Sequence, residues 1–310
     1  MTPSSTAMST DNRFRLSFTV ETDGVGLRDF LADCGISRRT LTAVKYKGGE
    51  ILVNGEEKTV RHVVRTGDRV MVIFPPEKPA EGLFPEEGEL TILFEDDALL
   101  ILDKPAGQAT IPSRDAPSGT LANLVAGKFR AEGTPATVHI VTRLDRETSG
   151  IVCIAKNRHI HHLMSEKMKA GGVCKRYEAI VRGSFSEQHF FIDKPIGRKE
   201  GSIIERTVRP DGQRALTEVS VLETDGIPGK EISRLSVILH TGRTHQIRVH
   251  LAHIGHPLEG DTLYGGCAER ISRQALHCAG LSFSHPLSGV AIEVTSPVPE
   301  DMRAAGGFRR

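Results

Sequence analysis

The chain has 310 residues, 38% hydrophobic and 25% charged, with a formal net charge of +1. These proportions exclude a mostly disordered or fibrous protein, and the length suits two domains at ~100 to 200 residues each. No run reaches the ~18 consecutive apolar residues of a membrane span, and so small a net charge makes no global case for a polyanion partner.

Met1 to Asn12 are rich in Ser and Thr but lack the apolar core of a secretory signal, and read as a flexible start (residues 1–12). Residues 13–74 form a small basic domain, with 11 Lys/Arg against 8 Asp/Glu. Leu27, Phe30, Leu31 and Cys34 recur at i, i+3, i+4 and i+7, the stripe of one helix. A second helix begins after Ser37, which can cap its free amides, while Ile36 and Leu41 are placed to form a hydrophobic staple and Gly48-Gly49 ends it. Ile51 to Val53 is a strand entering a tight Asn54-Gly55 turn, and Gly67-Asp68 precedes a last strand, Arg69 to Phe74. The S-R-R, V-N-G and G-D-x-V segments together resemble the RNA-binding domain named after ribosomal protein S4. That resemblance implies RNA contact through Arg38, Arg39 and Lys45 on the second helix; a basic helix and hairpin unit without RNA contact is the plainer alternative.

Residues 75–89, rich in Pro, Glu and Gly, show no apolar periodicity and read as a linker. From Glu77 to Asp97 there are 8 acids and one lysine, Lys78, whereas His139 to Arg182 holds 9 Lys/Arg against 4 Asp/Glu. Residues 90–300 alternate short β-like runs with turn signals, and residues 301–310 read as a C-terminal tail. Strands are predicted at 91–94, 99–103, 138–141, 151–155, 176–181, 215–222, 233–240 and 290–294, and helices at 121–131, 158–169 and from about Thr244. The expected class is α+β, with a mixed, largely antiparallel sheet. Five cysteines (Cys34, Cys153, Cys174, Cys267, Cys278) include no C-x-x-C pair, which argues against a disulfide framework and a zinc site. They read as buried small hydrophobes of a protein in the reducing cytoplasm.

The chemistry concentrates in Arg143-Leu144-Asp145-Arg146-Glu147-Thr148-Ser149-Gly150, a charged loop between the apolar runs 139–141 and 151–155. Loops held by a rigid sheet are where reactive groups are presented. On spacing alone, Asp145 serves equally well as a local backbone cap.

These eight residues resemble the signature loop of the RluA/RluD type of pseudouridine synthase. Asp103-Lys104-Pro105-Ala106-Gly107 is similar to its K-P-x-G loop, Lys175-Arg176-Tyr177-Glu178-Ala179 to K-x-Y-x-A, and Thr241 to His250 to T-G-R-T-H-Q-I-R-V-H, followed by Ile254 to Asp261. The resemblance covers residues 90–297. It implies a catalytic aspartate, Asp145, that initiates cleavage of the bond between uracil and ribose; an ion-pair partner for it, Arg248; and Tyr177 as a plate under the base that also helps remove the proton from carbon 5. Arg143 would enter the RNA stack as the base flips out, and Arg146, Lys104, Lys175 and Arg243 would meet phosphates or the pocket. The implied reaction isomerises uridine to pseudouridine in ribosomal or transfer RNA, without cofactor or metal, since no atoms are gained or lost. Two positions depart from the common pattern: Thr142 stands where many members have His, and Asp103 where Asn is usual.

Other readings remain open at this level. His240, His245, His250, His253 and His256 invite a metal site, but H-E-x-x-H is absent. Asp145 with Glu147 suggests a glycosidase, which needs carboxylates ~5 to 9.5 Å apart. A ribosome-assembly or RNA-binding protein without activity is the non-enzymatic alternative. The oligomeric state is open, a monomer being sufficient.

Overall fold

The computed structural model describes residues 12–306, apart from Asp115 and Pro228. Asn12 excepted, the expected flexible start lies outside the described residues.

Helices α1 (Leu27–Asp33) and α2 (Arg38–Tyr46) pack on a four-stranded antiparallel sheet in the order Arg15–Thr19, Arg69–Ile73, Glu50–Val53, Glu56–Glu57. The start of α2 follows from its capping chemistry. Ser37 Oγ accepts the Thr40 amide at 3.1 Å, and Ile36 and Leu41 are both buried in the core of this unit. Asn54 and Gly55 have φ of 54° and 87°, the left-handed pair that a two-residue hairpin turn requires.

The rest of the chain builds a ten-stranded sheet. Its path runs His189–Asp193, Leu216–Asp225, Ile232–Leu239, Val173–Arg182, Leu276–Ser284, Ser149–Ala155, Leu99–Lys104, Thr91–Glu95, with Ala291–Thr295 beside Leu276–Ser284 and His139–Ile140 beside Ser149–Ala155. All of its ladders are antiparallel except one short parallel contact, Ser149 to His277 and Gly150 to Cys278. Helices α3 (Leu121–Ala131) and α4 (Arg158–Lys169) lie where they were expected from the sequence, each capped by a side chain, Thr120 and Asn157. Helix α5 (Gln246–His253) starts two residues later than expected, because His245 leaves the helical conformation.

Several expectations are corrected. The strand Leu276–Ser284 has no counterpart in the sequence reading; it is buried along nearly its whole length, so it lacks the alternation that marks a half-exposed strand. The expected tail begins instead as helix α6 (Glu300–Gly306), with Met302 and Ala305 buried against Ile180 and Ile271. The stretch 75–89 is tied down: the Glu86 amide donates to Asn123 O at 3.0 Å, Asn123 Nδ2 to Phe84 O at 2.8 Å, and the Gly119 amide to Glu86 Oε2 at 2.9 Å. Glu77 accepts from the Arg158 amide at 2.8 Å and pairs with His139 at 2.5 Å. An irregular chain needs no periodicity to pack when its polar groups find partners on a neighbouring helix. Of the five cysteines, only Cys153 and Cys278 are buried, and Cys174 is exposed. Among the described residues no helix is long and apolar enough to cross a membrane.

The parallel contact makes Gly150 irreplaceable by geometry. Its φ is +110°, and a Cβ there would lie 2.3 Å from Cys278 O and 2.6 Å from Cys278 N. Gly150→Ala is expected to cost about 1–3 kcal/mol in overpacking and about 1–3 kcal/mol in backbone strain. Urea unfolding measures it, and the loop before Gly150 should lose its order with it.

Candidate active site

The loop between the strands His139–Ile140 and Ser149–Ala155 is fixed carbonyl by carbonyl. Leu144 O accepts from Thr110 Oγ1 at 2.9 Å, Asp145 O from the Thr148 amide at 3.1 Å, Arg146 O from Lys104 Nζ at 3.1 Å, and Glu147 O from Arg273 Nη1 at 3.1 Å. Lys104 also donates to Pro105 O and Gln108 O, both at 2.8 Å. Arg273 is anchored from behind by Asp301 of α6, through bonds of 2.6 and 2.9 Å. Four consecutive carbonyls with designated donors leave this loop little freedom.

Asp145 is held at its side chain as well. Arg248 Nη1 donates to Asp145 Oδ2 at 3.1 Å, while Nε and Nη2 of the same guanidinium form a bidentate pair with Asp261 at 2.7 Å each. The exposures grade from Asp261 (1%) through Arg248 (8%) to Asp145 (29%), so one cation links a buried carboxylate to one that opens on solvent. Burial works against the charge of Arg248, but Asp261 and Asp145 raise its pKa above the usual arginine value. His245 Nε2 lies 3.7 Å from the same Oδ2, and its Nδ1 is 2.8 Å from the Tyr264 hydroxyl.

Helix α5 carries Arg248, and Gln246 sets the helix in place. Gln246 Oε1 accepts from Thr241 Oγ1 and the Arg243 amide, and its Nε2 donates to Leu216 O and Thr217 Oγ1, all within 2.8–3.0 Å. The T-G-R-T-H-Q-I-R segment is thus a turn stapled to the neighbouring strand by its own glutamine.

The fold brings Asp145 and Arg248 into contact and buries Tyr177 nearby on the strand Val173–Arg182. Burial pushes the Tyr177 phenol well above the usual tyrosine pKa, with smaller contributions from Cys278 and Asp145 in the same direction. Arg143 is exposed and has no hydrogen bond or ion pair among the described residues. Arg146, Arg243, Arg38, Arg39 and Lys45 are exposed, and Lys175 is half-buried. Lys104 departs from expectation: fully buried, with its ammonium directed to three carbonyls, it has no face from which to meet a phosphate. Thr142 is buried and accepts the Cys153 amide at 2.9 Å, so the substitution at this position bears on packing rather than on the cleft. Asp261, Tyr264 and Arg273 were not expected at the site, and His245 was raised from sequence only as a candidate metal ligand. Asp261 and His245 lie inside the matched segments and are legible there; Tyr264 and Arg273 carry no local signal.

Two outcomes follow from this geometry. Arg248→Met strands two carboxylates beside each other and is expected to cost about 3–5 kcal/mol in urea unfolding; Arg248→Lys should fail to restore turnover, since a single ammonium cannot serve both carboxylates as a planar fork does. Burial, the main cause, pushes the Lys104 pKa down from 10.5 to about 8. Between those values the unfolded chain binds more protons than the folded one, so this group's contribution to stability rises with pH across that window and is flat below it. Unfolding free energies across that range should show the slope, and Lys104→Met should flatten it.

A family model described as RNA pseudouridylate synthase matches residues 98–253. The RNA pseudouridine synthase YjbO of Bacillus subtilis is 45% identical over 276 residues, covering 89% of this chain and 96% of the relative. Ribosomal large subunit pseudouridine synthase D of Xanthomonas campestris is 34% identical over 271 residues, covering 83% and 80%. Among solved structures, human RNA pseudouridylate synthase domain containing 1 superposes with a TM-score of 0.55 at 26% identity, over 71% of this chain and 86% of that one. With its signature loop built into a sheet of this topology, the chain belongs to the RNA pseudouridylate synthase family and is an RNA pseudouridine synthase of the RluA/RluD type.

Proposed function

We propose that this enzyme isomerises specific uridines in ribosomal RNA, with Asp145 as the group that begins the reaction. The observation that carries the assignment is the pairing of Asp145 with Arg248, itself held by buried Asp261, which keeps an oriented carboxylate at the edge of solvent. Breaking the bond between N1 of uracil and C1′ of ribose and rejoining the ring through carbon 5 conserves every atom; the C5 proton is lost and N1 gains one. A positioned carboxylate is the one nucleophile or base this sequence of steps requires at the start.

The uracil reaches the site by leaving the RNA stack, at a cost of a few kcal/mol. Arg143, exposed and without a partner among the described residues, takes its place there. Tyr177 is a plate for the ring; burial keeps its phenol protonated, which favours stacking over acceptance of the C5 proton. Arg146, Arg243 and Lys175 contact phosphate or the pocket, whereas Lys104 serves the loop.

Residues 13–74 act as an S4-like RNA-binding domain joined to a catalytic domain of residues 90–300. Arg38, Arg39 and Lys45 lie exposed on α2, and Lys45 Nζ sits 5.1 Å over the ring of Tyr46, itself exposed and able to stack on a base. Ribosomal RNA is favoured over transfer RNA by the names of relatives from Xanthomonas campestris and Pseudomonas aeruginosa, both ribosomal large subunit pseudouridine synthases.

Mapping pseudouridines in ribosomal and transfer RNA, with and without the protein, tests the target. One or more ribosomal positions should lose the modification in the deletion strain and regain it with the wild-type gene; loss only in transfer RNA would reassign the substrate. Asp145→Asn should restore none. Removing Arg38, Arg39 and Lys45 together should weaken RNA binding and lower the dependence of log K on log salt by ~0.7–0.9 for each phosphate that is no longer neutralised.

A further inference from the structure

Resting on the reading that Asp145 is the catalytic carboxylate, we propose that His245 is a positioning residue for it. It aims its Nε2–H at Asp145 Oδ2, the oxygen that Arg248 also binds, so that Oδ1 is left as the reacting oxygen. The starting observation is the backbone. His245 has φ 57° and ψ 21° at the entry to α5; among the described residues the other non-glycine with positive φ is Asn54, in a hairpin turn that calls for it. A bulky residue in the left-handed region is strained, and such strain persists where the surroundings over-determine it. Here it turns the imidazole toward the cleft, with 12% of the side chain exposed and Nε2 3.7 Å from Asp145 Oδ2.

The hydrogen-bond chain behind the ring decides which nitrogen carries the proton. The Tyr264 hydroxyl accepts the backbone amide of Arg206 at 2.9 Å and lies 2.8 Å from His245 Nδ1. Burial, together with Arg248 and Arg206, lowers the pKa of His245 against the opposing pull of Asp145 and Asp261, which favours the neutral ring with one proton. Tyr264 gives its hydroxyl proton to Nδ1, and the imidazole proton resides on Nε2, facing the carboxylate. The opposite tautomer would set a nitrogen lone pair against those of Asp145 Oδ2. Arg248 Nη1 meets the same oxygen at 3.1 Å, and Oδ1 receives no hydrogen bond among the described residues. With the His245 contact closed, two donors on one oxygen would fix the rotation of the carboxylate and leave the other oxygen free. A gap of 3.7 Å is longer than a hydrogen bond, and contacts of this kind commonly tighten once substrate is bound.

The test compares His245→Gly, His245→Gln, Tyr264→Phe and Asp145→Asn. The assay is release of tritium from carbon 5 of labelled uridine, in total RNA taken from a strain lacking the protein. Glycine suits a positive φ, so His245→Gly should fold with an unchanged or higher melting temperature. Its maximal rate should nonetheless fall about 100-fold, the cost of losing one oriented donor, with little change in the RNA concentration giving half-maximal rate. Glutamine, whose amide reaches the position of Nε2, should recover most of the rate, and Tyr264→Phe should lose part of it. Equal losses in His245→Gly and His245→Gln, a full rate in His245→Gly, or an effect confined to RNA concentration dependence would overturn the proposal. Activity remaining in Asp145→Asn would instead overturn the assignment of Asp145, whatever the His245 variants do.

Discussion

One guanidinium organises the site. Arg248 is buried with one edge of its guanidinium, Nε and Nη2, on Asp261 and its remaining nitrogen on Asp145. A buried arginine with a single carboxylate is near neutrality; adding Asp145 gives the cluster a net negative charge that can be tolerated only because Asp145 reaches solvent. The consequence is an aspartate whose position is set from inside the protein while part of its carboxylate reaches solvent. The rest of the catalytic unit places the two ends of this relay: Gln246 holds the turn that launches α5, and the ten-stranded sheet holds the loop of Asp145.

That loop is restrained by means that cost stability elsewhere. Lys104 and Arg273 are cations with almost no exposure, both directed at backbone carbonyls of the loop or of its neighbours. Lys104 lacks a direct carboxylate partner and donates to three carbonyl oxygens; burial, the main cause, lowers its pKa to about 8. Arg273 passes the restraint on to Asp301, so helix α6 takes part in fixing the Asp145 loop from the far side. Preorganisation of this kind lets a carboxylate act without waiting for the loop to settle, and it removes reorganisation from the barrier.

The N-terminal unit is joined to the catalytic one by contacts as well as by chain. Phe74 stacks on His159 with ring centroids 5.2 Å apart, and Glu77 bridges His139 and the start of α4. The acidic stretch after it lies along α3, where Gly127 allows the backbone of Glu86 to approach; a Cβ there would lie 1.9 Å from Glu86 O. The exposed basic residues of α2 and the cleft beside Asp145 are therefore carried on units that are in direct contact.

The helices α1 to α4, the hairpin at Asn54-Gly55, most strands and the α+β class were legible in the sequence, as were the segments that bring Asp145 and Arg248 into contact. Capping residues, turn glycines and periodic apolar side chains act over a few neighbours, and the family resemblance supplied roles that spacing alone left balanced against a local cap. Tertiary structure decided the remainder. Leu276–Ser284 is buried along nearly its whole length and, besides the nearby strand Ala291–Thr295, pairs with strands roughly a hundred or more positions away, so no local alternation announces it. Lys104 looks like a phosphate contact until the loop carbonyls that surround it are known, and Thr142 like a change in the cleft until it is found bonded inward to Cys153. The partners of Arg248 and the tautomer of His245 depend on Asp261, Tyr264 and Arg206, which meet only after the sheet has closed. Local chemistry is written in neighbouring residues, but charge balance and proton placement at the site are properties of groups that only folding brings together.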